Sequence, residues 1–343
     1  MASFFAKFYI SRKYTMSYQL DKFVFGHTWA TDLLARAVDT GKLSQSVLIT
    51  GMPQLGKTTL ALTVAMALNC TADEKPCGHC AACSKILDGN HPDVLLLDNE
   101  SALKIEEIRL LQHDLSLTPN ESAHKIAILA NFERATTAAA NALLKTLEEP
   151  SQHTILLVTA RSTEHLLPTI VSRCQNLQLR PVATDTIRQL LEKQWQAPTG
   201  TAQHLSHLAH GRPGWAVQAM RNPEILEQRE TLLSEMTTVL HGGYVERLAY
   251  AATLAKAAFA PVEVLDLWLS WWRDVLLAHN RVSAPMVNID MEDTIRQFAE
   301  HLSQTQIIAA IAELTQTLRN FDFNINPRLN FETLLLKLPQ VNS

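Results

Sequence analysis

Eight residues, Gly51-Met52-Pro53-Gln54-Leu55-Gly56-Lys57-Thr58, have the types and spacing to hold a polyphosphate. Gly51 and Gly56 let the backbone wrap phosphate oxygens with its N–H groups, and a helix starting behind them adds its positive end. Lys57 would reach the β- and γ-phosphates, and Thr58, with Thr59 beside it, would offer a hydroxyl to magnesium. Standing after an apolar run and ahead of a helical pattern, the motif has the context its mechanism needs. The alternative is a decayed loop that keeps the shape without the nucleotide.

A second constellation follows at once. Cys70, Cys77, Cys80 and Cys83 give the spacing C-x6-C-x2-C-x2-C and account for four of the five cysteines. Four thiolates so placed can close a tetrahedral zinc site with no open position, so the metal reads as structural rather than catalytic. Binding of about 10–16 kcal/mol would hold an otherwise floppy excursion together. His79 lies inside the module and is read as outside the ligand set. Clustered cysteines in a chain whose start lacks a small-residue cleavage site point to a reducing compartment, the cytoplasm.

The elements that must position these groups alternate through the first half. Short apolar runs at 46–50, 93–97, 125–130 and 154–159 read as buried strands, with a fifth at 175–179. Helical patterns at 57–69, 104–117 and 135–148 separate them, and Ile105, Ile108, Leu111 and Leu115 share one face of the second. Continuous apolar strands between helices predict a parallel sheet covered on both faces. Beyond Arg180-Pro181 only helices follow, punctuated by Gly211-Arg212-Pro213-Gly214, Pro261 and Pro285. Trp268, Trp271 and Trp272, at helical spacing, read as core; base stacking is the alternative, with few basic residues nearby to support it.

Bulk numbers exclude more than they assign. A chain of 343 residues with 47% hydrophobic and 19% charged residues is globular and long enough for two or three domains. A net charge of -4 does not announce a nucleic-acid binder, so any DNA contact is local or made through partners. No apolar run is long enough to span a membrane. The family-like pattern begins near Phe23, which leaves residues 1–22 as an extension and Met16 as an alternative start.

Two further stretches carry a resemblance. Asn141-Ala142-Leu143-Leu144-Lys145-Thr146-Leu147-Glu148-Glu149-Pro150 and Ser172-Arg173-Cys174, taken with the phosphate loop, resemble the clamp-loader branch of the AAA+ ATPases. These machines open ring-shaped sliding clamps onto primed DNA. The resemblance spans residues 23–340. It implies an α/β architecture: an AAA+ P-loop parallel-sheet domain at 23–182 with the zinc module at 70–83, a small helical lid domain at 183–222, and an all-α collar domain at 223–343. Similar cysteine insertions occur at this point in bacterial clamp-loader subunits. The implied partners are the tau/gamma and delta subunits of the DNA polymerase III clamp loader, the sliding clamp indirectly, and primed DNA through the complex.

One part of the family's machinery is absent. Counting back from Asn141 to the acidic pair that holds magnesium and aims water lands on Ala130 and Asn131. The expectation is therefore a subunit able to hold ATP and magnesium but poorly equipped to hydrolyse ATP. Glu133 could substitute after a register shift, whereas Asp98 belongs to a different strand. In the family the arginine equivalent to Arg173 points into a neighbour's ATP, the alternative being a surface arginine paired with a local carboxylate. Thr159 falls where a γ-phosphate sensor sits, with Arg161 competing for that role. The second sensor, an arginine, would fall near Gly214, with Arg212 close by. Glu148 and Glu149, before Pro150, are read as structural or interface residues. Together these features imply a stator that completes the subunit ring and lends Arg173 in trans. The alternatives are an active tau/gamma-like motor and a small-molecule P-loop kinase; the long helical tail and Ser172-Arg173-Cys174 oppose the kinase.

Overall fold

The computed structural model describes residues 24–98, 101–256, 260–321 and 325–341, so the amino-terminal extension with Met16 lies outside the described residues. By internal contacts the chain divides into two compact units. One runs to Ile187 and includes Arg212–Gly214; the other comprises Arg188–Gly211 and everything from Trp215 onward.

The first unit is built on five strands, β1 (Ser46–Thr50), β2 (Val94–Leu97), β3 (Lys125–Leu129), β4 (Thr154–Ala160) and β5 (Gln175–Gln178). They form one sheet in the order β2-β3-β4-β1-β5, and every pairing is parallel. Alternation along β1 to β4 sends side chains to two separate cores, whereas the edge strand β5 buries only Leu177. Val47, Ile49, Ile126, Ile128, Ile155 and Leu157 pack on one face with α1 (Thr28–Asp39) and α2 (Lys57–Asn69). Leu48, Ala127, Leu129, Leu156 and Val158 pack on the other with α4 (Ile105–Ser116), α5 (Thr137–Glu148) and α6 (Pro168–Val171). Two covered faces explain why the strands read as unbroken apolar runs. A short α3 (Ala81–Leu87) packs on α2 and carries the last of the clustered cysteines.

Local chemistry sets the helix ends. Thr136 caps α5, its hydroxyl accepting from the Ala139 N–H, so the helix begins two residues later than its pattern predicts. Strand β2 begins at Val94 rather than at Asp93. The Asp93 carboxylate is instead buried under the backbone N–H groups of Asn120, Glu121 and Ser122, fixing the loop ahead of β3.

Helix α7 (Thr184–Gln194) leads out of the first unit, and α8 (Thr199–Leu208) and α9 (Pro213–Arg221) follow. The second unit continues through α10 (Glu224–His241), α11 (Tyr244–Leu254), α12 (Pro261–His279), α13 (Glu292–His301), α14 (Gln304–Phe321) and α15 (Pro327–Lys337). Helix α12 packs on α13 and α14, and α11 on α15. Trp268, Trp271 and Trp272 are fully buried in this core, with Trp271 edge-on to Phe298 at 4.9 Å, so they are unavailable for base stacking. Arg247 is also buried, and its guanidinium donates to the carbonyls of Leu240, Leu335, Leu338 and Pro339. One side chain thus satisfies the open carbonyl ends of α10 and α15. No helix among the described residues is long and apolar enough to cross a membrane.

Candidate nucleotide, metal and arginine sites

Parallel strands bring all their carboxyl ends to one edge, and the strand order puts β1 beside β4 and β4 beside β3. Gly51 to Gly56 loop out from β1 at this edge and deliver the chain into α2. Gly51 has φ 148, and a Cβ there would lie 2.8 Å from the Leu179 carbonyl oxygen, so the loop needs glycine to pass β5. At the other end Gly56, in the left-handed region, is the N-cap of α2 and gives it no side-chain cap. The first-turn N–H groups of α2, at Lys57, Thr58 and Thr59, therefore have no intrahelical partner, as helix starts that bind anions do.

Lys57 is buried, and its Nζ donates to the carbonyls of Gly51 and Met52 at 2.7 and 2.9 Å. Burial pulls its pKa down to about 8, the Glu133 carboxylate pulls it back up in part, and Arg161 adds to the lowering. From outside, His27 braces the loop: its buried Nε2 lies 3.1 Å from the Leu55 carbonyl, which makes that nitrogen the donor. Burial, partly offset by this bond, holds its pKa below the ordinary value.

The edge next to the loop contains Ala130-Asn131, as the sequence indicates. Asn131 takes the left-handed conformation, its N–H donating to Thr159 Oγ1 at 3.0 Å and its amide to Asp98 Oδ1 at 3.1 Å. Thr159 thus lies at the predicted strand end, fully buried and already accepting a backbone bond. Asp98 sits just beyond β2 and is engaged by Asn131. Glu133 lies on the short turn Phe132–Arg134, with one carboxylate oxygen buried and unpartnered. Its negative charge acts on Lys57, raising the ammonium's pKa in part. Gly214, at the expected second-sensor position, donates its N–H to the Gln54 carbonyl at 3.0 Å.

The four cysteines converge. The Sγ atoms of Cys70, Cys77, Cys80 and Cys83 all lie within 4.8 Å of one another, and Cys70 and Cys80 are 3.9 Å apart. Sulfurs held about 2.3 Å from a tetrahedral zinc would stand roughly 3.8 Å apart, so the donor set fits the ion. Backbone N–H groups of Cys77, Cys80 and Cys83 point at the sulfurs of Cys70, Cys77 and Cys80, while burial raises the Cys70 and Cys83 thiols. Burial raises the Cys80 thiol, but bonds from the Cys83 and Thr71 backbones and from the Cys83 and Cys77 side chains outweigh it and bring its pKa down to about 6. His79 turns to the Cys77 carbonyl and stays outside the set.

Arg173 lies elsewhere on this unit, just after α6. Its Nη1 donates to the Thr169 carbonyl at 3.0 Å and its Nη2 to Glu148 Oε1 at 2.5 Å. The side chains are 35% and 50% exposed. Sequence reasoning located the arginine and allowed it a local carboxylate partner without naming Glu148. It gave no role to His27 or to the contact between Gln54 and Gly214, neither of which carries a motif.

Residues 26–183 match the family model described as DNA polymerase III, delta subunit, and residues 223–340 match the model for the C-terminal part of the DNA polymerase III delta subunit. DNA polymerase III subunit delta' of Bacillus subtilis is 30% identical, with 90% of this chain and 94% of that protein covered. The delta' subunit of Escherichia coli is 27% identical over 82% of this chain and 84% of its own. The tau subunit of Bacillus subtilis is 26% identical over 93% of this chain, but only 61% of tau is covered. A phosphate loop on a five-stranded parallel sheet, followed by a helical carboxy-terminal region, defines an AAA+ protein of the clamp-loader class. Within that class the near-complete match to delta' sets it apart from tau and gamma. The chain belongs to the delta' family of DNA polymerase III subunits.

Proposed function

We propose that this chain acts as the stator of the clamp loader, completing the subunit ring, supplying Arg173 in trans to a neighbouring motor subunit's ATP, and helping to load the sliding clamp onto primed DNA. One observation carries the reading. The strand end that would bind magnesium and aim water is the uncharged pair Ala130-Asn131, while Arg173 stands exposed on the surface. This chain thus offers an arginine to another subunit's active site, while the position of its own acidic pair carries no carboxylate. The fork of an arginine bonds phosphate oxygens and keeps its charge, and such a finger contributes about 10³–10⁵ in rate.

The remaining roles belong to the same proposal. Gly51, Gly56, Lys57, Thr58 and Thr59 would hold ATP and its magnesium without efficient hydrolysis, and Thr159 would sense the γ-phosphate. Cys70, Cys77, Cys80 and Cys83 would hold a structural zinc. The three-domain division expected from the resemblance, 23–182, 183–222 and 223–343, would separate nucleotide, lid and collar functions. Tau/gamma and delta subunits are the direct partners, with clamp and primed DNA reached through the complex, in the cytoplasm. The motor alternative needs Glu133 or Asp98 to bind magnesium; Asp98 is engaged by Asn131, and likeness to tau covers less of that protein.

The test is primed-DNA-stimulated ATP turnover by a loader reconstituted with this chain or its Arg173→Ala variant. Turnover should fall by about two orders of magnitude or more with the complex still assembled. Unchanged turnover in an intact complex would remove the trans role and leave a scaffold.

A further inference from the structure

The carboxylate of Glu148 touches nothing in the nucleotide site, yet it makes the shortest contact of Arg173. Glu148 is the last residue of α5, and Arg173 follows α6, so two separate elements meet at this pair. The guanidinium is held at two points: Nη1 on the Thr169 carbonyl and Nη2 on Glu148 Oε1. These bonds use two of the five N–H groups that an arginine offers. The carbonyl end of α5 carries partial negative charge and adds to the attraction. A long arginine side chain otherwise forfeits much of its rotamer freedom when it is fixed against a phosphate. Held beforehand, it forfeits less, and the remaining N–H groups are free to bond outward. An exposed ion pair is weak, so it orients the fork without competing strongly against a polyphosphate.

We infer that Glu148 is the positioning residue for Arg173, holding its guanidinium in the orientation from which it meets the neighbouring subunit's ATP. The inference rests on the trans role proposed for Arg173.

The experiment is a double-mutant cycle in the reconstituted loader with Glu148→Ala, Glu148→Gln, Arg173→Ala and Glu148→Ala/Arg173→Ala chains. Primed-DNA-stimulated kcat and KM for ATP are measured at equal complex assembly. Glu148→Ala should lower kcat about three- to tenfold with KM unchanged, as expected for a group felt only in the transition state. Glu148→Gln, which keeps an acceptor oxygen, should recover part of the loss. In the Arg173→Ala background the Glu148→Ala change should have no further effect. A full effect in that background, or unchanged or raised kcat in the single variant, would overturn the positioning role. If Arg173→Ala itself leaves turnover intact, the trans reading fails first, and the cycle separates that failure from this one.

Discussion

The Gly214 N–H donates to the Gln54 carbonyl at 3.0 Å, and a Cβ on Gly214 would lie 2.8 Å from that same oxygen. Gln54 itself sits in the left-handed region at φ 62, so the loop backbone has little room to retreat. The family pattern expects an arginine near this place. Here any side chain would press on the phosphate loop's own backbone, which gives the departure a steric meaning.

Gly214→Ala should therefore cost about 1–3 kcal/mol of stability, as overpacked sites do. Gly200 in α8 is the control, because a Cβ there meets nothing within 4 Å and its backbone is ordinary. Gly200→Ala should be neutral or stabilise by up to about 1 kcal/mol. Urea unfolding of both variants decides it; equal midpoints would show that the contact at Gly214 carries no strain.

The cysteine cage makes a compositional prediction. The purified chain should carry one equivalent of zinc, and Cys83→Ser should lose most of it, since three thiolates leave the tetrahedron open. Cys174 stands outside the cluster, its pKa pushed up to about 11 by burial, so Cys174→Ser should keep the metal. Metal analysis by atomic emission, followed by limited proteolysis of residues 70–83 after chelation, reads both effects. Zinc retained by Cys83→Ser would remove this residue from the ligand set.

Much of this molecule was legible because its signals are local. The loop from Gly51 to Thr58 dictates its own conformation, and the cysteine spacing dictates a cage. Two covered sheet faces leave unbroken apolar runs. Even the tryptophans of α12 announced a core by their spacing. Other features depended on which long side chains meet across the fold. Glu148 and Arg173 are 25 residues apart and both exposed, and nothing in either segment states which way its side chain leans. Glu133 is a similar case. Strand register alone left it beyond the magnesium position, and neither the turn Phe132–Arg134 that carries it nor the effect of its charge on Lys57 is written in the sequence. Asp93 looked like the start of a strand because its neighbours are apolar, whereas the backbone N–H groups it collects come from 120–122.

His27 gives the loop a pH dependence. Burial keeps its folded-state pKa below 6.5, so the unfolded chain takes up the proton first as pH falls. Its contribution is fully present above pH 6.5 and is lost as pH drops from there through the folded-state value. His91 and His124 are also lowered by burial and act with the same sign. The difference between wild type and His27→Gln isolates the first. Between about pH 7.5 and 5 wild type should lose more stability than the variant; parallel curves would mean that His27 titrates alike in both states.

Lys57 gives the opposite dependence, in binding rather than folding. Its pKa of about 8 means an ammonium at about pH 7 but mostly neutral amine at about pH 9. The phosphates of a nucleotide need the charged form, and at pH 9 roughly a tenth of the lysine would still carry its proton. Affinity for ADP, measured by calorimetry on the isolated chain, should therefore fall about tenfold from pH 7 to pH 9. Lys57→Ala should bind weakly at both, with no such slope. A wild-type affinity that stays level across this range would mean that the loop holds phosphate through its backbone N–H groups and the end of α2, with Lys57 remaining on the Gly51 and Met52 carbonyls.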